Sequence, residues 1–245
     1  MRITIPLEAT CNAGILYNVA LQQYLGATNG PVAPNSPWLR TGRHERVSLV
    51  STVFAAISAE AFINEAPVIA EETLKRAGPH PPAIQAFASL LAEVESVRGS
   101  TLLKFNVAHL ALTAQAFSKG VQPFQDFALL MRVRDELVHM KLSGFTSLAG
   151  DRMDRDQGGG GGSKLLQQLG HKGVLMEIEP EDDDPPSGES TFFARFTTWI
   201  GTPGMARWAC ITTAAMVHAL IASVPESQFK TTLQETYAAD FRTPA

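Results

Sequence analysis

Between Ile15 and Leu142 the apolar residues recur at helical spacing in segment after segment, and none of these segments shows the alternation of a half-buried strand. The first segment carries Ile15, Leu16, Val19, Ala20 and Leu25 and is expected to stop near Gly26. A second runs from Arg46 to about Glu65, with Leu49, Val50, Val53, Phe54 and Ile57 on one face. The break at Gly78 to Pro82 is followed by a third, AIQAFASLLAEVESV, and Gly99 introduces a fourth from about Thr101 through Phe117, stopped by Gly120. Pro123 opens a fifth, reaching Leu142. A chain built this way buries helix stripes against one another, so the expected fold is all-α.

The rest of the chain adds helices more than sheet. Pro203 to Val224 reads as a long Ala-rich helix holding Trp208, Met216 and Leu220, and Lys164 to Leu169 as a short one. Arg2 to Leu7 and Val174 to Ile178 are candidate short strands, and Thr191 to Ile200 fits helix or strand. No repeat and no second apolar unit behind a linker is found. The expectation is one domain over 1–245, its core spanning roughly residues 9–225. Flexible loops are expected at 143–163 and 179–190, and a polar tail from Gln228 that frays beyond Tyr237. Gly158 to Gly162 followed by Ser163 is either natural low complexity or an inserted flexible linker, and is assigned no chemistry.

Composition narrows the function classes. The 245 residues are 45% hydrophobic and 18% charged, enough to build a real core, and the formal net charge is -4. That charge gives no general basic field for nucleic acid, so any such binding must rest on a local patch. The most basic short stretch holds Arg40, Arg43, His44 and Arg46. Cys11 and Cys210, far apart and outside any zinc spacing, fit a reducing compartment. The N-terminus lacks the pattern of a secretory signal. Met205 to Val224, interrupted by Arg207 and His218, suits a buried helix better than a membrane span. The expectation is a cytoplasmic protein with no membrane segment.

The chemistry concentrates in MRVRDELVHMKL, Met131 to Leu142. On a helical projection the apolar arc gathers Phe124, Phe127, Ala128, Met131, Val138 and Leu142, with Leu130 and Leu137 at one edge. Arg134 and Asp135 project inside that arc, His139 follows one turn after Asp135, and Arg132, Gln125 and Glu136 mark the wet side. An inward charge must be matched. Glu60 and Asn64 lie in the apolar arc of the second helix, so the two pairs are expected to meet, with Glu60 directing the Arg134 guanidinium. Arg plus His suits phosphodiester cleavage without metal: His moves protons near neutral pH, and Arg holds a charged phosphorane. One such pair rarely completes the machinery, which favours a two-fold homodimer that brings two together.

Other chemistries are weaker. Glu136 to His139 is an ExxH spacing without the second copy that di-iron bundles use, so no metal is expected. No cofactor is expected either, because the chain has no GxGxxG, Walker or GxSxG motif. His109 and His218 read as core histidines, while His80 and His171 sit in loop-like contexts.

Arg134-Asp135-Glu136-Leu137-Val138-His139 resembles the Arg, polar residue, three variable residues, His signature of HEPN domains, the helical bundles named for higher eukaryotes and prokaryotes nucleotide-binding. ISAEAFINE, Ile57 to Glu65, resembles the upstream helix of several bacterial members. The likeness covers roughly Arg46 to Lys141. It implies an all-α bundle, dimerisation and, in many members, metal-independent RNA cleavage by a toxin or anti-phage effector held in check by a cognate antitoxin or regulatory protein. In this reading Arg134 and His139 are catalytic, Asp135 orients His139, and Glu60 and Asn64 support the site. Three departures stand out. Asp135 replaces the commoner Asn, Lys141 stands where some members offer a Tyr, and Arg132 also fits the spacing allowed for the arginine. The alternative is a non-catalytic module binding a nucleotide or protein partner, in which Arg132, Asp135 and His139 form a surface charge network and Arg134 holds two helices in register.

Overall fold

A computed structural model describes residues 11–29, 43–76, 78–138, 161–175 and 196–244, and among them every regular element is helical. The helices are α1 (Asn12–Asn29), α2 (Arg43–Leu74), α3 (Pro82–Ser96), α4 (Thr101–Thr113), α5 (Phe124–Val138), α6 (Gly161–Gly170), α7 (Pro203–Ser223) and α8 (Gln228–Tyr237). Residues 196–200 form a further short helical stretch. The described residues form an all-α, single-domain helical bundle.

α2 is the axis of the bundle and packs against α1 most extensively, then against α7, α3, α8, α5 and α4. Its 32 residues extend about 48 Å at 1.5 Å per residue. The face it buries most deeply differs from the expected one. Ser48, Ser51, Thr52, Ala55, Ala56, Ser58 and Ala59 are buried, whereas Leu49, Val53, Phe54 and Ile57 are half-buried and Val50 is exposed. A helix surrounded by neighbours fits small side chains at its close crossings, and the larger ones fill the margins. Ser51 of this face donates to the Ala20 carbonyl (2.8 Å), and Thr213 of α7 donates to that of Ala55 (3.1 Å), whereas the buried Ser48 hydroxyl has no partner among the described residues. α2 also continues through Pro67 to Leu74, past its expected end, because Ile69, Ala70 and Thr73 remain buried.

Two apolar clusters result. The larger joins α1, α2, α3, α4, α5, α7 and α8; the smaller gathers Leu129, Val133, Leu165, Leu169, Val174, Phe196, Ile200 and Met205. α5 lies between them, burying Phe124, Phe127, Leu130 and Met131 in the first and Leu129 and Val133 in the second. Trp208 of α7 packs against both.

The C-terminal segment corrects the expected frayed tail. Phe229, Leu233, Tyr237 and Phe241 are all buried, and the Phe241 ring stacks on Tyr17 with centroids 4.6 Å apart. The core therefore runs to Phe241, not 225. Phe229, Leu233 and Tyr237, four apart, lie on one stripe of α8, and Phe241 follows just beyond the end of that helix. α1 runs on past Gly26 to Asn29. α4 ends at Thr113 rather than Phe117, because Ala114 turns into the left-handed region (φ 60°). Phe117 nevertheless returns to stack on His109 at 3.9 Å. Val174 and Leu175 are not strand, and 196–200 resolves the helix-or-strand alternative as helix for those residues. Gly161, Gly162 and Ser163, expected in a loop, begin α6. The candidate strand Arg2 to Leu7 and the other residues of loops 143–163 and 179–190 lie outside the described residues.

Residues Glu45–Leu74 and Pro203–Ser223 are long and apolar enough to cross a membrane by length and composition. Half of the first window (50%) and more of the second (61%) is buried inside the bundle.

Candidate functional site

The packing of α5 decides what its polar residues can do. With Leu130, Met131 and Val133 turned into the two clusters, Arg134 falls at the margin between α5 and α2, its side chain 21% exposed. Asp135, one position on, is carried about 100° further round the helix and lies 56% exposed. This corrects the expectation that both charges project inward: the interior takes Arg134 in part and leaves Asp135 in solvent. Val138, placed in the apolar arc from sequence, is likewise exposed. That arc omitted Leu129 and Val133, which face a second core that a single-faced projection does not anticipate.

Arg134 and Glu60 meet. Nη2 of Arg134 donates to Oε2 of Glu60 at 2.6 Å, across 74 positions of sequence, and Nη1 donates to Oδ1 of Asp135 at 2.8 Å. The Nε hydrogen is buried and has no hydrogen-bond partner among the described residues. A guanidinium offers five donors in a flat fork, so Glu60 fixes its plane from one side while the opposite nitrogen is directed toward solvent and Asp135.

Asn64 does not join this group. Its Oδ1 accepts from Lys104 Nζ of α4 at 2.7 Å, and Lys104 also pairs with Glu95 of α3. Lys104 is the one charged residue of α4 and it is buried, while Leu103 and Leu110 of the same helix are exposed. Arg132 turns the other way and donates to Gln168 of α6 at 2.8 Å. Of the two arginines that fit the motif spacing, Arg134 is the one held against α2. His139 lies outside the described residues, as do Arg40 and the side chains of Arg43 and His44; Arg46 is exposed.

A second polar group, missed by the sequence reading, surrounds Glu65, five residues beyond Glu60 on α2. Cys11 precedes α1 and offers no oxygen to cap it. The Glu65 carboxylate takes that role from another helix, accepting the Asn12 amide at 2.7 Å and the Ala13 amide at 3.1 Å, and also the Tyr237 hydroxyl at 2.7 Å. Asp240 accepts from Asn18 of α1 at 2.9 Å, and Gly14 lets it approach, since a Cβ there would stand 2.1 Å from an Asp240 oxygen. Burial raises the Glu65 carboxyl above its ordinary value, against the lowering effect of the Tyr237, Asn12 and Ala13 hydrogen bonds. Burial, and then the Glu65 charge, drive the Tyr237 phenol far upward. The Cys11 thiol is raised by burial, with the Tyr237 hydrogen bond opposing and the Glu65 charge reinforcing the shift.

Three described histidines have carbonyl partners: His109 Nδ1 at 2.6 Å from Gln115, His218 Nε2 at 2.8 Å from Phe241, and His80 Nε2 at 2.9 Å from Arg76. Among the described residues no group of three or more His, Cys, Asp or Glu is arranged to hold a metal ion. No family model, no curated protein and no solved structure matches the chain.

Proposed function

We propose that this protein is a HEPN-like ribonuclease that cleaves RNA without a metal ion, using Arg134 and His139. The observation that carries the reading is the Glu60–Arg134 ion pair at 2.6 Å, which joins the two segments bearing the HEPN resemblance into one site. Glu60 fixes an arginine whose other terminal nitrogen meets only the exposed Asp135 carboxylate, five positions before His139 in the sequence.

The chemistry assigned to these residues is attack of an RNA 2′-oxygen on the adjacent phosphorus. The new O2′–P bond forms as the P–O5′ bond breaks, giving a 2′,3′-cyclic phosphate and a 5′-hydroxyl. One proton leaves the 2′-hydroxyl and one is delivered to the 5′-oxygen; His139 serves as acid or base in this exchange. Arg134 holds the equatorial oxygens as negative charge accumulates. A homodimer supplies the second Arg and His that the complete proton cycle calls for. Within this reading the protein acts in the cytoplasm as a toxin or anti-phage effector under a cognate antitoxin or regulatory protein.

A specific observation also favours the non-catalytic reading: both terminal nitrogens of Arg134 already contact carboxylates, as in a helix-to-helix tie. Cleavage of total cellular RNA by the purified protein in EDTA separates the two. The ribonuclease reading predicts products ending in 2′,3′-cyclic phosphate, and at least about a hundredfold loss of rate in Arg134→Ala and His139→Ala. A folded wild-type protein that leaves RNA intact would favour the binding module.

A further inference from the structure

We propose that Asp135 covers Arg134 as an exchangeable stand-in for an RNA phosphate, so that the carboxylate must leave before a phosphodiester can dock. The proposal rests on the ribonuclease reading in naming RNA as the ligand; the cover itself is argued from the geometry.

Three features of the Arg134 surroundings lead to it. First, one guanidinium faces two carboxylates, Glu60 and Asp135, so the group carries a formal charge of 1 − 2 = −1 and repels a phosphate as it stands. Second, the two carboxylates are unequally held. Glu60 is 33% exposed and reaches Arg134 from a separate helix, whereas Asp135 is 56% exposed and adjacent in sequence. Neighbouring residues on a helix do not face each other, so the Arg134–Asp135 contact depends on side chains bending round the helix surface. An exposed pair of this kind adds little stability and opens cheaply. Third, Asp135 engages Nη1 while Glu60 engages Nη2. Loss of Asp135 therefore frees the outward nitrogen without releasing the side that fixes the arginine. The freed Nη1 carries two N–H donors, which the non-bridging oxygens of a phosphodiester accept in place of the Asp135 oxygen. Glu60 is the permanent partner and Asp135 the replaceable one.

The test uses the full chain and a fluorescent single-stranded RNA carrying 2′-O-methyl groups, which has no free 2′-hydroxyl to attack phosphorus. Binding is followed by anisotropy for wild type, Asp135→Asn, Arg134→Ala and the double variant, each with its melting curve. Asp135→Asn is expected to bind about two- to fivefold more tightly, the factor corresponding to the strength of an exposed ion pair. The gain is expected to vanish in the Arg134→Ala background. Unchanged or weaker binding by Asp135→Asn, a gain that persists without Arg134, or no measurable binding by any folded variant would each overturn the proposal.

Cleavage of unmodified RNA in EDTA, run beside the binding series, distinguishes the two levels. Arg134- and His139-dependent cleavage with no Asp135→Asn gain removes the cover and leaves the ribonuclease. An Arg134-dependent binding gain with no cleavage does the reverse.

Discussion

Two glutamates five positions apart on α2 do opposite work. Glu65 accepts from two backbone amides of α1 and from the Tyr237 hydroxyl, groups supplied by secondary structure and a buried ring. Glu60 accepts from an arginine that is itself shared with a solvent-exposed carboxylate. The first arrangement closes on itself and ties the two ends of the described chain to the bundle axis. The second leaves a cation paired on its other side with a solvent-exposed carboxylate. The difference is physical: the partners of Glu65 are fixed by the backbone and a buried ring, whereas the partner of Glu60 is shared with an exposed carboxylate.

The largest effect expected at the structural end comes from removing the ring on which Tyr17 stacks. Phe241→Ala should lower unfolding free energy by about 3–5 kcal/mol in denaturant titration, since a fully buried aromatic leaves a cavity. A surface-like loss of under about 0.5 kcal/mol would show that the segment after α8 is not part of the core in solution. Glu65→Ala comes next. It orphans the α1 amides and the Tyr237 hydroxyl at once and should cost about 1–3 kcal/mol, checked by the same titration.

A smaller effect concerns pH. Burial holds the Glu65 carboxyl above its ordinary 4.5, so between 4.5 and the raised native value the folded protein keeps a proton that the unfolded chain has released. Stability relative to Glu65→Gln should therefore decline as pH rises through that window, and the decline should end above the native value. A wild-type advantage that grows with pH would reverse the assignment. Smallest is a change at Cys11: with the Glu65 charge gone, the thiol should alkylate somewhat faster at mildly alkaline pH, because that charge helps keep it protonated.

These contrasts were unevenly legible in the sequence. The five helices from α1 to α5 could be read because each carries apolar residues at helical spacing, and the Glu60–Arg134 pair because each charge interrupts an apolar arc and needs a partner. The partner of Asn64 could not be read: α4 is apolar nearly all round, so nothing marks Lys104 as the residue facing inward. The small-residue face of α2 escaped because periodicity weights large side chains, while a central helix is selected for close approach. The buried C-terminal residues were available in Phe229, Leu233 and Tyr237 on one stripe of α8 and in Phe241 beyond it, but were masked by the polar residues between them. Glu65 left an indirect signal, since α1 begins after a cysteine and must find its cap elsewhere.

The most direct test of this division is to measure melting temperature and RNA cleavage rate together for Glu60→Gln and Glu65→Ala. Glu60→Gln is expected to lose cleavage by tenfold or more, roughly the weight of one charge-assisted hydrogen bond, while melting within a few degrees of wild type. Glu65→Ala is expected to melt clearly lower yet cleave at nearly the wild-type rate below its transition. Equal losses of both properties in the two variants, or cleavage untouched by Glu60→Gln, would contradict this division.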